Sequence, residues 1–208
     1  MRDNTTDEIY NAMLKALAVL AFGLALLRER AQIDPLTNLF NRRTYDERLE
    51  TLSVSKATDT PVSLILGDID NFKRCNESLN GLDHRCGDMY IRGIGHILKH
   101  AVREGDYAQP FRKGGDEFAL LLQNAPLPVA VERAHEVKKA IKQMRLAVPH
   151  GGIERFLPPV TMSMGIGAIP EHGSTVKQLI EAATVALAQA KARRAGTIVV
   201  ASTILPSR

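Results

Sequence analysis

The residues best suited to chemistry lie in one short run, Gly114-Gly115-Asp116-Glu117-Phe118. Two glycines let a turn's backbone approach a polyphosphate, and adjacent carboxylates supply hard oxygen donors for a divalent cation. An apolar run from Phe118 to Leu122 follows, and Tyr107 to Phe111 precede it. The pattern is that of a hairpin carrying acids at its tip. A second acidic pair, Asp68 and Asp70, closes the run Val62-Ser63-Leu64-Ile65-Leu66-Gly67. With Pro61 before it and a charged segment after it, that run reads as a buried strand. Asp68 and Asp70 then stand at its carboxyl end, where open α/β sheets receive ligands. Asn71-Phe72-Lys73-Arg74 opens a helix whose first amides, with the Lys73 ammonium, suit a triphosphate. Acids on two neighbouring strand ends are what two-metal phosphoryl or nucleotidyl transfer requires.

The elements that position these groups are read from periodicity. Helices are expected over 36–52, 70–79, 87–102, 128–146 and 176–194, and strands over 62–67, 160–168 and 197–201 beside the hairpin. Pro149-His150-Gly151-Gly152 reads as a break after the fourth of those helices. Strands alternating with helices, plus one hairpin, imply an α/β layer rather than a helical bundle. In the first 33 residues, Tyr10, Met13, Leu17, Leu20, Leu24, Leu27 and Ala31 recur at alternating spacings of 3 and 4, a two-stranded coiled-coil seam. The uninterrupted apolar stretch from Ala16 to Leu27 covers 12 residues, short of the roughly 20 that span a bilayer. The expectation is a soluble dimerising helix over 1–33 followed by a catalytic domain over 34–208, with a membrane-surface helix as the rival.

Composition fits without specifying. With 208 residues, 45% hydrophobic, the chain can build a real core, and a net charge of +4 suits an anionic ligand. Basic residues are scattered, Trp is absent and aromatics make up 5%, so no platform for stacking nucleic-acid bases is visible. Cys75 and Cys86 lack zinc-type spacing and no secretory signal precedes them, which favours reduced thiols and a cytoplasmic setting.

From about Asp34 to about Val200 the sequence resembles the GGDEF family of diguanylate cyclases, which join two GTP molecules into cyclic di-GMP. The resemblance runs through Asp34-Pro35-Leu36-Thr37-Asn38-Leu39-Phe40-Asn41-Arg42-Arg43, Asp68 to Lys73, Asn76, and His84-Arg85-Cys86-Gly87-Asp88. It continues through Arg112-Lys113 and the signature turn, Val160 to Gly165, and Ala186 to Lys191. It implies a β-α-β-β-α-β core like those of nucleotidyl cyclases and polymerase palms: a mainly antiparallel central sheet flanked by helices, preceded by the N-terminal helix. It also implies that Asp68, the Ile69 carbonyl, Asp116 and Glu117 hold two Mg2+ (or Mn2+) ions per half-site, with Asp116 the better candidate for aiding deprotonation. Gly114 and Gly115 would admit the α-phosphate, with Phe72 and Lys73 opening the phosphate-side helix. Lys73 and Lys191 would neutralise the terminal phosphates, and Asn76 and Asp88 would read guanine. Two domains must meet face to face, so the resemblance implies a homodimer, here through the N-terminal helix.

The departures are specific. Asn76 and Asp88 are separated by 11 residues, a longer stretch than the family pattern usually shows, with the extra residues near Leu79-Asn80-Gly81. Asp83 stands where a glycine is usual, and Thr184 and Ala188 replace an Asp and a Tyr of the last helix. Arg193-Arg194-Ala195-Gly196 replaces the usual Gly-Arg-Asn ending, so the second phosphate cation falls to Arg193 or Arg194, with Arg194 taken as the candidate. Arg103-Glu104-Gly105-Asp106 has the form of the family's inhibitory motif for cyclic di-GMP, in which Arg103 and Asp106 would bind the product, against an ordinary surface ion pair. The alternative to a working cyclase is a weak or inactive module that binds GTP or cyclic di-GMP and signals.

Overall fold

The computed structural model describes residues 4–54, 60–73, 83–101, 108–150 and 153–202. The chain divides into two compact units, Met1–Ile33 and Asp34–Arg208. The first is a single helix, α1 (Asn4–Arg30). On it Tyr10, Met13, Leu17, Leu20 and Leu27 are more than half exposed, as is Phe22 away from that seam. Among the described residues no helix is long and apolar enough to cross a membrane.

In the second unit the first helix starts later than periodicity suggests. Residues 34–40 form turns, with Asn38 at a positive φ of 57°. Asn41 then caps α2 (Arg42–Val54), its Oδ1 accepting from the Thr44 amide at 3.0 Å. The extended Val62 run becomes β1 (Val62–Ile69), buried along its whole length. Phe72 and Lys73 are helical, residues 74–82 lie outside the described residues, and α3 (Asp83–His100) follows. The hairpin is β2 (Ala108–Gly114) and β3 (Glu117–Gln123). Next comes α4 (Leu127–Gln143), which opens on Pro126 as N-cap with a further proline in its first turn.

A small two-stranded sheet, β4 (Ala147–His150) with β5 (Ile153–Phe156), occupies the stretch read only as a break. Its strands are too short, and too interrupted by Pro149, to show alternation. The remaining elements are β6 (Met162–Ile169), α5 (Val176–Lys191) and β7 (Ile198–Val200). Thr175 and Gln178 form a reciprocal capping box at the start of α5.

The main sheet has the order β2-β3-β1-β6-β7, all antiparallel except β6 with β7. Its two faces carry separate cores. Leu64, Leu66, Ala119 and Leu121 pack with Tyr45 and Leu49 of α2 and Leu179 and Ala183 of α5. Ile65, Ile69, Phe118 and Leu120 pack with Tyr90 and Ile94 of α3 and Ala134 and Val137 of α4. A sheet covered on both sides explains why its strands read as continuous apolar runs. The architecture is the mixed α/β core the sequence implies, with a mainly antiparallel sheet between helices.

Candidate functional site

The alternation of β1 places Asp68 on the face of Leu64 and Leu66, towards α5, and one step beyond the last buried leucine. Across the ladder Asp68 pairs directly with Glu117, the first residue of β3. Residues so opposed hold their Cβ atoms about 5 Å apart. The Ile69 amide donates to the Asp116 carbonyl at 3.3 Å, which fixes the turn to the end of β1. The register therefore brings Asp68, Ile69, Asp116 and Glu117 to one place at the sheet end.

The turn itself spans Gly115 and Asp116, between the paired Gly114 and Glu117, and a bulge at Lys113 precedes it. Gly115 has φ +50° and Gly114 φ +145°. A side chain at either would meet nothing within 4 Å. Backbone conformation, not crowding, therefore requires glycine here, and the space above both is open to an approaching group. Arg112 braces the tip from behind. Its Nε and Nη2 donate to the Gly115 carbonyl at 3.1 and 3.0 Å, while Nη1 donates to both Asp34 oxygens at 3.2 and 3.0 Å. Asp34 also accepts from the Thr37 amide and hydroxyl at 2.9 and 2.7 Å. Burial alone would raise the Asp34 carboxyl, but Thr37 and Arg112 outweigh it and hold it below its ordinary range.

Asp68 is only 5% exposed, and burial pushes its carboxyl above the usual range. The Lys191 ammonium opposes that shift from 2.5 Å, while the charges of Asp116 and Glu117 add to it. Glu117 is half-exposed and lies 3.9 Å from Lys113 Nζ. Lys191 reaches Asp68 because α5 lies backbone-to-backbone on β6. A Cβ at Gly165 would stand 2.1 Å from the Leu187 amide nitrogen and 2.5 Å from the Ala183 carbonyl oxygen, so only glycine permits this approach.

A cleft of about 330 Å³ opens beside these groups, lined by Asp68, Ile69, Asp70, Asn71, Lys191, Arg193 and Ala195. Of the expected cations, Lys191 lines it. Arg193 does as well, in place of Arg194, whose carbonyl instead accepts the Thr197 hydroxyl. Asp70 does not act as a second free carboxylate: Thr161, Ser163 and the Gly196 amide all donate to it. Lys73 is exposed, and so is Asp88, in the second turn of α3. Asn76, Arg103 and Asp106 lie outside the described residues.

The donors are carboxylate and carbonyl oxygens, which suit a hard divalent cation. Among the described residues no three His, Cys, Asp or Glu side chains gather closely enough to hold an ion by themselves. A hard cation held at one or two carboxylates takes the rest of its ligands from outside the chain.

The fold and this sheet-end cluster of acids and cations define a mixed α/β domain with a candidate site at one end of its sheet. The family described as "Diguanylate cyclase, GGDEF domain" matches residues 31–197. The chain belongs to that family. It is 34% identical over 173 residues to Response regulator PleD of Caulobacter vibrioides, covering 82% of this chain and 36% of that protein. It is 33% identical over 188 residues to Diguanylate cyclase VdcA of Vibrio cholerae, covering 90% of this chain and 52% of that protein. The chain thus spans between about a third and a half of these relatives. Among solved structures, the coiled coil and GGDEF domain of DgcB from Caulobacter crescentus, in complex with c-di-GMP, superposes with a TM-score of 0.80 at 22% identity. That match covers 96% of this chain and 100% of the other and concerns the fold alone. Diguanylate cyclase SiaD from Pseudomonas aeruginosa, solved with its activator SiaC, gives 0.72 at 28% identity, covering 95% of this chain and 72% of that one.

Proposed function

We propose that this chain is a working diguanylate cyclase, converting two GTP molecules into cyclic di-GMP and two pyrophosphates. The observation that carries the reading is the register of Asp68 with Glu117, with Asp116 in the adjoining turn and Lys191 beside them. Asp68, the Ile69 carbonyl, Asp116 and Glu117 would hold magnesium or manganese, two ions per half-site. When bound, the metal lowers the pKa of the attacking 3′-hydroxyl and offsets charge growing on the α-phosphate and pyrophosphate. Gly114 and Gly115 leave room for the α-phosphate. Lys191, which contacts Asp68 here, would neutralise the triphosphate. Lys73 meets the terminal phosphates, and Asp88, with Asn76, accepts from the N1 and N2 donors that distinguish guanine.

Each domain holds one GTP, so the reaction needs two chains. The exposed seam of α1, from Tyr10 to Leu27, is the surface through which we infer that they pair. Tethering would raise the effective concentration of one site at the other. We further take the domain to work in the cytoplasm with reduced cysteines, and to be inhibited by its product through Arg103 and Asp106. We treat residues 1–33 as a signalling helix and 34–208 as the cyclase domain.

The test is direct. Purified chain with GTP and magnesium should yield cyclic di-GMP, and Glu117→Gln should lower the rate at least about a hundredfold while leaving circular dichroism unchanged. Retained turnover in Glu117→Gln would contradict the metal assignment. A second reading, a module that binds nucleotide without turning it over, draws on the altered last helix with Thr184 and Ala188. GTP binding with no product at high protein concentration would favour it.

A further inference from the structure

Asp70 stands two residues beyond Asp68, and an Asp-x-Asp pair invites the reading that both carboxylates face a cation. The structure gives them different partners. Asp70 Oδ1 accepts from Ser163 Oγ at 2.6 Å. Its Oδ2 accepts from Thr161 Oγ1 at 2.5 Å and from the Gly196 amide at 2.6 Å. The Asp70 amide donates to the Thr161 carbonyl at 2.9 Å. Three short bonds to one carboxyl group occupy most of its accepting capacity.

Those partners come from two places. Thr161 and Ser163 flank Met162, the first residue of β6, beside β1, whereas Gly196 lies 126 residues beyond Asp70 in the loop between α5 and β7. Gly196 has φ +72°, and a Cβ there would approach the Thr161 Cβ to 3.2 Å. The loop is thus seated on the strand ends in a conformation that favours glycine, where an added methyl would press on the Thr161 side chain. It carries Arg193 and Ala195, which line the cleft together with Asp68 and Lys191. The Thr197 hydroxyl to the Arg194 carbonyl and the Arg193 amide to the Ala190 carbonyl, at 3.1 Å, close the remaining turn.

We propose that Asp70 is a positioning residue: its carboxylate latches the 192–197 loop to the ends of β1 and β6, and so holds Arg193 as the second cation for the terminal phosphates of a nucleoside triphosphate. The proposal rests on the nucleotide-binding reading above. It assigns the phosphate role to Arg193 rather than Arg194, and it gives Asp70 a duty outside the metal-holding set. A positioning residue acts through another, so its loss and the loss of Arg193 must not add.

The experiment is a double-mutant cycle on the full chain, reading equilibrium affinity for GTP with magnesium by calorimetry. Arg193→Ala and Asp70→Ala should each weaken GTP binding about tenfold, the scale of one charged hydrogen bond. Asp70→Ala/Arg193→Ala should be weaker than either single variant by no more than about twofold. Asp70→Asn should stay within about threefold of the parent, because its amide oxygen still accepts from Gly196 and Thr161 and its NH2 donates to Ser163. Should Asp70→Ala fail to fold, Gly196→Ala enters the same cycle, since it lifts the loop while sparing the carboxylate.

A double variant weakened about a hundredfold, the product of two independent tenfold losses, would overturn the latch and leave the cyclase reading standing. So would equal damage in Asp70→Asn and Asp70→Ala accompanied by a raised magnesium requirement, the signature of a metal ligand. A parent chain with no affinity for GTP would overturn the nucleotide reading and the latch together.

Discussion

The brace behind the signature turn can be tested quantitatively through Asp34. Its side chain is 16% exposed, and that of Arg112 is 15% exposed. Removing one partner of a fully buried pair costs about 3–5 kcal/mol, and of an exposed pair about 0–1. Asp34 and Arg112 fall between these limits. After allowance for solvent screening, Asp34→Ala should cost about 2 kcal/mol, with the lost Thr37 contacts included. For a domain of this size that is roughly 4–8 °C in Tm. Asp34→Asn keeps acceptors for Thr37 and loses the charge, so about half that cost is expected.

The pH dependence follows from the lowered carboxyl. Its stabilisation is present in full above the ordinary value of 3.8 and is lost as pH falls through the still lower folded value. Urea unfolding of the parent and both variants, followed by far-ultraviolet circular dichroism, should show a constant gap from neutral pH down to about pH 4, closing only below it. A loss under about 0.5 kcal/mol for Asp34→Ala, or a gap that narrows already near pH 6, would refute the reasoning.

Three further outcomes are expected. Gly165→Ala should destabilise by roughly 3 kcal/mol or more, because the added methyl meets α5 backbone rather than a movable side chain; thermal melts measure it. If α1 pairs two chains as proposed, Leu17→Glu with Leu20→Glu should leave a monomer, read by light scattering after gel filtration, and make synthesis steeply dependent on protein concentration. Asp68→Asn should raise the melting temperature in metal-free buffer at pH 7, because burial disfavours the ionised carboxylate of the folded chain. That gain should shrink as pH falls through the raised folded value towards 3.8, and added magnesium should stabilise the parent but not the variant.

The strand ends that build the site were legible because they are local. Val62 to Asp70 is an apolar run with acids at its end, and the hairpin is punctuated by its own glycines. Register then follows from burying the apolar residues. Helix boundaries were less legible. Residues 36–41 carry helical periodicity, yet the Asp34 and Asn41 side chains satisfy the local amides in turns and delay α2 to Arg42. The β4–β5 pair was missed because four-residue strands leave too short a pattern. The resemblance singled out Asp68 and left Asp70 without a role; the partners of Asp70 could not be read locally, because Thr161, Ser163 and Gly196 lie far along the chain. Two successive arginines likewise look equivalent until the loop's path shows which one lines the cleft.

The glycines of β6 turn α5 into a lever. With Gly165 against Leu187 and Gly167 against Leu179, the helix meets strand main chain at two points, where no side chain lies between them to absorb a shift. Extra bulk beneath its first turns would tilt the whole rod, and the displacement would be greatest at the far tip, where Lys191 sits. Thr184 and Ala188, both on the outer side, lie clear of that fulcrum. Evolution can therefore repaint the outward side of this rod freely, while the reach of its terminal ammonium stays set by two missing methyl groups.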